Sequence, residues 1–178
     1  ANLFYKKNTD LIQWAPDPDD PDNFMAWYPQ NIQDVERKGA TITFDNYLSV
    51  IPLNIHFNYH YNEAQNKLKE NKQLKYTPKH SANLIFDYNL KNLVINSSIN
   101  YIGERITQYG NQYSPRDIKL DEMYDVSARL SYTLPLKYID LDLSASIENI
   151  FDKDIYTIAN YPMPGRHYKL SIKISEFK

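Results

Sequence analysis

Two histidines are the residues of this sequence whose side chains and spacing most resemble a metal site or an acid–base pair. His56 and His60 lie within residues 53–62, where apolar and polar residues alternate strictly. In an extended strand both project from the same polar face, but four residues at about 3.3 Å each separate them by roughly 13 Å. A single metal ion cannot bridge that distance. We therefore expect these histidines to fill a polar surface rather than to bind a metal.

An acidic segment at residues 17–22 offers a second possibility. Its sequence, DPDDPD, supplies four carboxylates, and Ca²⁺ prefers oxygen ligands of this kind. The segment lacks the spaced ligands and the turn glycine of an EF-hand loop. A solvated acidic loop is therefore the favoured interpretation, and calcium binding is the alternative.

Charged residues also face one another across the predicted C-terminal strands. The acidic members are Asp140, Asp142 and Glu148, and the basic members are His167, Lys169 and Lys173. Opposite charges on paired strands contribute about 0.2–1 kcal/mol each, so a structural ladder is favoured over a proton relay. No Ser/His/Asp spacing or nucleophile elbow accompanies them. The sequence therefore predicts no enzyme, no catalytic residue, no metal site and no cofactor.

The elements that must position these residues are β-strands. Apolar and polar residues alternate with a period of two at 53–62, 82–90, 93–101, 124–134 and 139–148. Less regular strands near 2–14 and 31–46, together with a last one at 166–177, bring the predicted count to eight. Tight connections near 48–52, 91–92 and 135–137 alternate with long ones near 15–29, 64–78, 109–121 and 151–165.

Composition narrows the class of protein. The 178 residues include 16 Tyr and 7 Phe but only 4 Gly and no Cys, and the mean hydropathy is −0.63. Tyrosine-rich strands of polar average composition are typical of a membrane barrel, in which half of each strand meets lipid. A soluble, tyrosine-rich β-sandwich is the alternative. A net charge of −2 without a basic block argues against nucleic acid, and no apolar run is long enough for a transmembrane helix.

The connections indicate how such strands would cross a membrane. Short turns at one end and long loops at the other are typical of outer-membrane barrels. An even strand count places both chain ends on the short-turn, periplasmic side. Strands of about ten residues suit a tilted bilayer crossing, whereas soluble strands usually have about five or six. We therefore predict an all-β, antiparallel transmembrane β-barrel segment of about eight strands.

Two runs near the C-terminus, NIFDKD at 149–154 and YPMPGR at 161–166, carry a family resemblance. They resemble the C-terminal signature of TonB-dependent outer-membrane receptors, in which the first run ends the penultimate strand and Pro-Gly-Arg leads into the last. The signature residues here are Asn149, Phe151, Asp152, Pro164, Gly165, Arg166 and Phe177. Phe177 is penultimate, not last, and it is out of phase with the preceding strand unless a bulge intervenes. Residues 2–14 and 31–44 resemble the family's strand, outer loop and returning strand.

The resemblance implies that residues 1–178 are the C-terminal part of a receptor barrel of about 22 strands, with the plug domain outside this chain. Such a receptor imports a scarce metal chelate (iron–siderophore, haem or cobalamin) across the outer membrane of a Gram-negative bacterium. Its partners would be outer-membrane lipid, the remaining barrel and plug, the TonB complex acting through the plug, and the small chelate, but not nucleic acid.

Outer-loop residues would then help to grip the chelate. The ligand-binding candidates are Trp14, Trp27, Tyr109, Tyr113, Arg116, Tyr156 and Tyr161. The alternative for each Trp or Tyr is an interfacial position that anchors the barrel.

The two chain ends raise the question of what completes the barrel. Ala1 leads directly into a strand pattern without a signal peptide, so we expect a processed or internal N-terminus. Open strand edges are not tolerated in lipid, which predicts a companion polypeptide or the remainder of the same receptor. The alternative is a self-closed eight-stranded barrel with a structural or surface-interaction role. That barrel requires pairing between residues 2–14 and 166–177, whereas a soluble sandwich would bury its apolar faces.

Overall fold

A computed structural model describes residues 1–16, 27–67, 70–110 and 113–176. The strands in these ranges are β1 (Asn2–Pro16), β2 (Trp27–Leu48), β3 (Leu53–Asn66), β4 (Lys72–Gln73), β5 (His80–Leu90), β6 (Leu93–Ile102), β7 (Arg105–Gln108), β8 (Ile118–Leu120), β9 (Met123–Pro135), β10 (Ile139–Glu148), β11 (Tyr156–Ile158), β12 (Tyr161–Pro162) and β13 (His167–Glu176). No helix in this part of the chain is long and apolar enough to cross a bilayer.

Eight long strands form one antiparallel sheet in the order β1-β2-β3-β5-β6-β9-β10-β13. This order confirms the predicted all-β fold of about eight strands. The other five strands lie within the long connections: β4 pairs with the end of β3, and β7–β8 and β11–β12 form small hairpins. Each of these five has only two to four residues. Such lengths are too short for a period of two to be recognised in the sequence.

The sheet has one apolar and one polar face because side chains alternate along each strand and paired residues share a face. Tyr132, Leu143 and Ile172 are directly opposite one another on β9, β10 and β13. The apolar face remains largely open, with Leu170 82% and Ile172 70% exposed. The buried apolar residues of the described chain are only Val35, Ala64 and Ile155. The sheet therefore lacks the dry centre that a soluble sandwich requires.

Both edges of the sheet are open. In the described residues β1 pairs with β2 alone, and β13 pairs with β10 alone. Pairing between β1 and β13, which a self-closed eight-stranded barrel needs, is absent from these residues. Each edge strand thus presents a row of unpaired backbone groups to whatever lies beside it.

The two ends of the sheet differ. One end has the tight turns, such as the two-residue connection between Leu90 and Leu93. The opposite end carries the long connections, and we name the described parts of three of them, 67–79, 103–122 and 149–166, the loop rim. These three segments contain all of the short strands.

Candidate ligand-binding rim and polar face

The polar face is held by hydrogen bonds between neighbouring strands. Asn83 Nδ2 donates to Asn100 Oδ1 at 2.5 Å, and Asn96 Nδ2 donates to Asp87 Oδ1 at 2.6 Å. These residues are directly opposite each other on β5 and β6. Side-chain hydrogen bonds thus join neighbouring strands across part of the polar face.

The two histidines have separate partners on this face. His60 Nδ1 lies 2.9 Å from Thr41 Oγ1, and its ring stacks on Phe4 with centroids 5.5 Å apart. His56 pairs instead with Asp45. Phe4 also covers Gly39, where an added Cβ would be 2.6 Å from the phenylalanine ring. In the described chain no group of three His, Cys, Asp or Glu side chains is placed to hold a metal ion.

The predicted charge ladder is realised at one position. Glu148 Oε2 and His167 Nε2 are 3.0 Å apart. Asp142 is directly opposite Lys173, but its carboxylate accepts a 2.6 Å hydrogen bond from Thr133. Lys169 is opposite Ser146, a hydroxyl rather than a carboxylate. Asp142 is thus bonded to a hydroxyl on β9 rather than to the lysine directly opposite it on β13.

A serine-rich groove of about 290 Å³ crosses the polar face of β6, β9, β10 and β13. Two cations line it: Arg129 and Lys169 are opposite Ser146 from its two sides. Arg129 Nη2 donates to Ser144 Oγ at 3.1 Å. Glu148 also lines the groove, which therefore offers hydroxyls, two cations and a carboxylate to whatever fills the space next to this face.

The C-terminal signature begins with a buried turn residue. Asn149 is 4% exposed and has a φ of 49°, a left-handed conformation that Asn tolerates better than most residues. Its Nδ2 donates to the Lys153 carbonyl at 2.8 Å and to the Pro164 carbonyl at 3.5 Å, and its Oδ1 accepts from the Lys153 N–H at 2.9 Å. β10 therefore ends at Glu148, where the predicted alternation at 139–148 also ends.

The second half of the signature closes the same loop. Asp152 Oδ1 accepts a hydrogen bond from the Arg166 N–H at 2.8 Å, and a Cβ added at Gly165 would lie 2.9 Å from that oxygen. Arg166 Nη1 also donates to the Ile150 carbonyl at 3.4 Å. The last strand accordingly starts at His167, one residue after the predicted start at 166. Phe151 is exposed, and Phe177 lies outside the described residues.

Tyr109 stands where the first two segments of the loop rim meet. Its hydroxyl donates to the Gln73 carbonyl at 3.0 Å, and burial raises its pKa. Lys72 Nζ and Lys75 Nζ lie 5.9 and 5.0 Å from the centre of its ring, within the range of cation–π contacts. The Tyr76 N–H donates to the Ile106 carbonyl at 2.7 Å nearby.

An ion pair reinforces the same junction. Lys72 Nζ lies 2.9 Å from Asp117 Oδ1, which also accepts the Gly110 N–H at 2.8 Å. The Gly110 hydrogen bond and then the Lys72 hydrogen bond lower the pKa of Asp117, and the hydrogen bond to Asp117 raises the pKa of Lys72. The segments 67–79 and 103–122 are thus joined by several independent contacts.

Arg105 connects the second segment of the loop rim to the third. It is 4% exposed, and its guanidinium donates to the carbonyls of Gly103, Asp121 and Tyr156. Burial lowers its pKa, and in the described residues no carboxylate is paired with it. Arg105 could not be predicted from the sequence, since a single arginine in a polar loop has no distinguishing local pattern.

The predicted binding residues are distributed unevenly over this end of the sheet. Tyr109 lies in the connection between β7 and β8, and the Tyr156 carbonyl accepts a hydrogen bond from Arg105 of β7. Tyr113 (88% exposed), Tyr161 (71% exposed) and Arg116 extend into solvent. The backbones of Trp14 and Trp27 pair with Pro29 and Pro16 in the β1–β2 ladder. Their side chains, and the acidic segment 17–22, lie outside the described residues.

Comparison with known proteins gives a family and a fold. Residues 1–150 match the family model described as TonB dependent receptor-like, beta-barrel. Solved structures that are similar include the ferric enterobactin receptor PfeA of Pseudomonas aeruginosa in its G324V mutant form (20% identity, TM-score 0.71), covering 98% of this chain and 28% of that one. The ferric-catecholate import receptor Fiu of E. coli K12 is 17% identical with a TM-score of 0.67, and the match covers 98% of this chain and 24% of that one. The copper transporter OprC is 16% identical with a TM-score of 0.70, and the match covers 98% of this chain and 28% of that one. No curated protein matches the chain. The chain spans roughly a quarter of the length of these solved structures.

Proposed function

Because this chain belongs to the family of TonB-dependent receptor-like β-barrels, we propose that it forms the C-terminal part of such a barrel in the outer membrane of a Gram-negative bacterium. The complete receptor would import a scarce metal chelate with energy delivered through TonB. The observation that carries this proposal is an eight-stranded sheet with an exposed apolar face, a polar face and two edges that no strand of the described residues pairs with. In a barrel of about 22 strands, the apolar face meets lipid and the polar face lines the interior.

The two open edges support partners on both sides of the sheet. Backbone groups that face hydrocarbon must be paired, since each unpaired one costs several kcal/mol there. β1 and β13 would therefore pair with strands from outside this chain. The serine-rich groove and the rest of the polar face would contact the plug, through which the receptor reaches the TonB complex.

The loop rim supports a ligand role for this end of the sheet. The similar proteins are described as receptors or transporters for ferric enterobactin, ferric catecholates, ferripyoverdine and copper. We infer a cargo of the same general kind, a metal or its chelate, with haem and cobalamin as further candidates. Tyr109, Tyr113 and Arg116 on the second rim segment, and Tyr156 and Tyr161 on the third, would contact it.

Uptake by cells with and without the gene that encodes this chain tests the proposal. Cells would be offered ferric enterobactin, haem, cyanocobalamin or a Cu(II) salt, each with a radioactive metal. We expect the gene to be required for uptake of one of these probes and the uptake to stop when TonB is removed. If none of the four depends on the gene, the proposed cargo class is wrong.

Purification tests the architecture separately. We expect the chain to require detergent and to co-purify with the strands and plug that complete the barrel, either on the same polypeptide or on a companion identified by mass spectrometry. A monodisperse, detergent-free chain without further strands would contradict a membrane barrel.

A further inference from the structure

The guanidinium of Arg105 contacts hydrogen-bond acceptors in three separate stretches of chain. Its Nη1 lies 3.3 Å from the Gly103 carbonyl, beside its own strand, and 3.5 Å from the Asp121 carbonyl just before β9. Its Nη2 donates to the Tyr156 carbonyl on β11 and lies 3.5 Å from Met123 Sδ. Tyr156 is 51 residues away along the sequence. One side chain thus contacts the second and third segments of the loop rim at once.

The chemistry of this contact makes it hard to replace. A guanidinium is always charged and presents five N–H groups in a rigid fork, so it can serve several carbonyls that point in different directions. A buried charge is costly unless its hydrogen bonds are made, and among the described residues Arg105 has no carboxylate to offset its charge. The burial of Arg105 is therefore compatible with a stable fold only while the three carbonyls stay in place. The side chain thus fixes the two loops, and the loop carbonyls in turn stabilise the buried side chain.

We propose that Arg105 is a positioning residue that fixes the third segment of the loop rim against the second, so that Tyr109 and Tyr156 keep one separation before any ligand arrives. The first segment joins the same unit through Lys72–Asp117 and Tyr76–Ile106. The three segments then behave as one body rather than as independent lids. The coupling itself does not depend on the identity of the cargo, whereas its value for binding rests on the proposed function.

Such coupling has a consequence for binding. A ligand that must order mobile loops loses part of its binding free energy, and a site that is already ordered avoids that loss. If Arg105 pre-organises the two tyrosines, its replacement will weaken ligand binding although the side chain is too buried to contact a ligand.

Distance measurement between spin labels tests the coupling. This chain has no cysteine, so Gln108→Cys and Thr157→Cys, both at exposed positions, place one label on each side of the contact. In the complete receptor in detergent we expect a narrow distance distribution with Arg105 and roughly a twofold broader one in Arg105→Gln. Lys119→Gln is the matched control, since it removes a cation from the same hairpin whose ion pair, with Glu104, is exposed and lies within one segment, and we expect no broadening there.

Two further measurements separate coupling from misfolding. Labels at Phe44 and Leu130, both on the apolar face, report on the sheet, and we expect their distance to be unchanged in Arg105→Gln. If that distance changes, Arg105→Lys decides: it keeps the charge but not the fork, and we expect partial broadening between 108 and 157 over an intact sheet. A narrow distribution in either folded variant overturns the coupling and leaves the transport proposal untouched. Failure of every uptake probe would leave the coupling untouched.

Discussion

In the sheet, ten residues of β10 pair with ten of β13 in unbroken register, whereas in the loop rim single side chains join whole segments. Many equivalent contacts hold the sheet, and the loss of one leaves its neighbours in place. The rim depends on a few contacts of different kinds, such as Arg105 on three carbonyls and Asn149 inside its own turn. We infer that the face on which a residue lies decides whether its substitution is tolerated in the sheet. In the loop rim, the contacts of the individual residue decide it.

The largest expected effect tests the rule for the sheet. Phe44 lies on the apolar face, and its sequence neighbour Thr43 lies on the polar face opposite Asn58. Phe44→Arg should destabilise the receptor by up to about 2–4 kcal/mol, because an arginine on the lipid-facing side of a barrel strand loses its hydration. Thr43→Arg is the control and should have little effect. Urea unfolding of the receptor in lipid vesicles measures both, and equal losses would show that the faces are wrongly assigned.

The next effect concerns the buried turn of the rim. Asn149→Ala should destabilise the receptor by about 1–3 kcal/mol, because the Lys153 N–H and carbonyl lose buried partners. Asn160 is the matched control: it also has a positive φ, 65°, but it is exposed. Asn160→Ala should cost clearly less in the same unfolding assay. An equal cost at the two positions would indicate that backbone conformation, and not hydrogen bonding, makes Asn149 important.

A smaller effect is expected at Gly165. Gly165→Ala puts a Cβ 2.9 Å from Asp152 Oδ1, so the carboxylate must shift and weaken its bond to the Arg166 N–H. We expect a loss of about 1 kcal/mol. In Asp152→Ala the obstructing oxygen is gone, and the same glycine substitution should then cost little more. A double-mutant cycle measures this coupling, and strictly additive losses would contradict it.

The smallest effect is a dependence on pH. The pKa of Asp117 is lowered and that of Lys72 is raised. The carboxylate therefore adds stability above the ordinary Asp pKa of about 4 that is lost as the pH falls through its lowered value. The lysine adds stability below about pH 10 that is lost as the pH rises through its raised value. We expect the Gly110 amide, corrected for intrinsic rates, to exchange faster below about pH 4.

Asp117→Asn is the control for that measurement. It removes the titrating group, so its Gly110 exchange should already be faster at neutral pH and should change little on acidification. An acid response that persists in Asp117→Asn would assign it to another group.

The sequence predicts the sheet better than it predicts the loop rim. Alternation alone places Tyr132, Leu143 and Ile172 on one face, because a strand period of two is local and repeated. Arg105 could not be found in this way, since its main partner, Tyr156, is 51 residues distant. Asn149 was visible as part of a signature, but its contact with the Pro164 carbonyl appears only in three dimensions. Roles in ligand binding remain predictions for all seven rim and strand-end candidates.

The order of strands in the sheet has a consequence for assembly. Each long strand pairs with the long strand that precedes it in the chain, from β1 to β13. Contacts between segments that are close in sequence form with little loss of chain entropy. We infer that the sheet forms one hairpin at a time as the polypeptide enters the membrane, and that each new strand pairs with the strand that precedes it. We expect a circular permutant that separates β9 from β10 to insert more slowly than the native order.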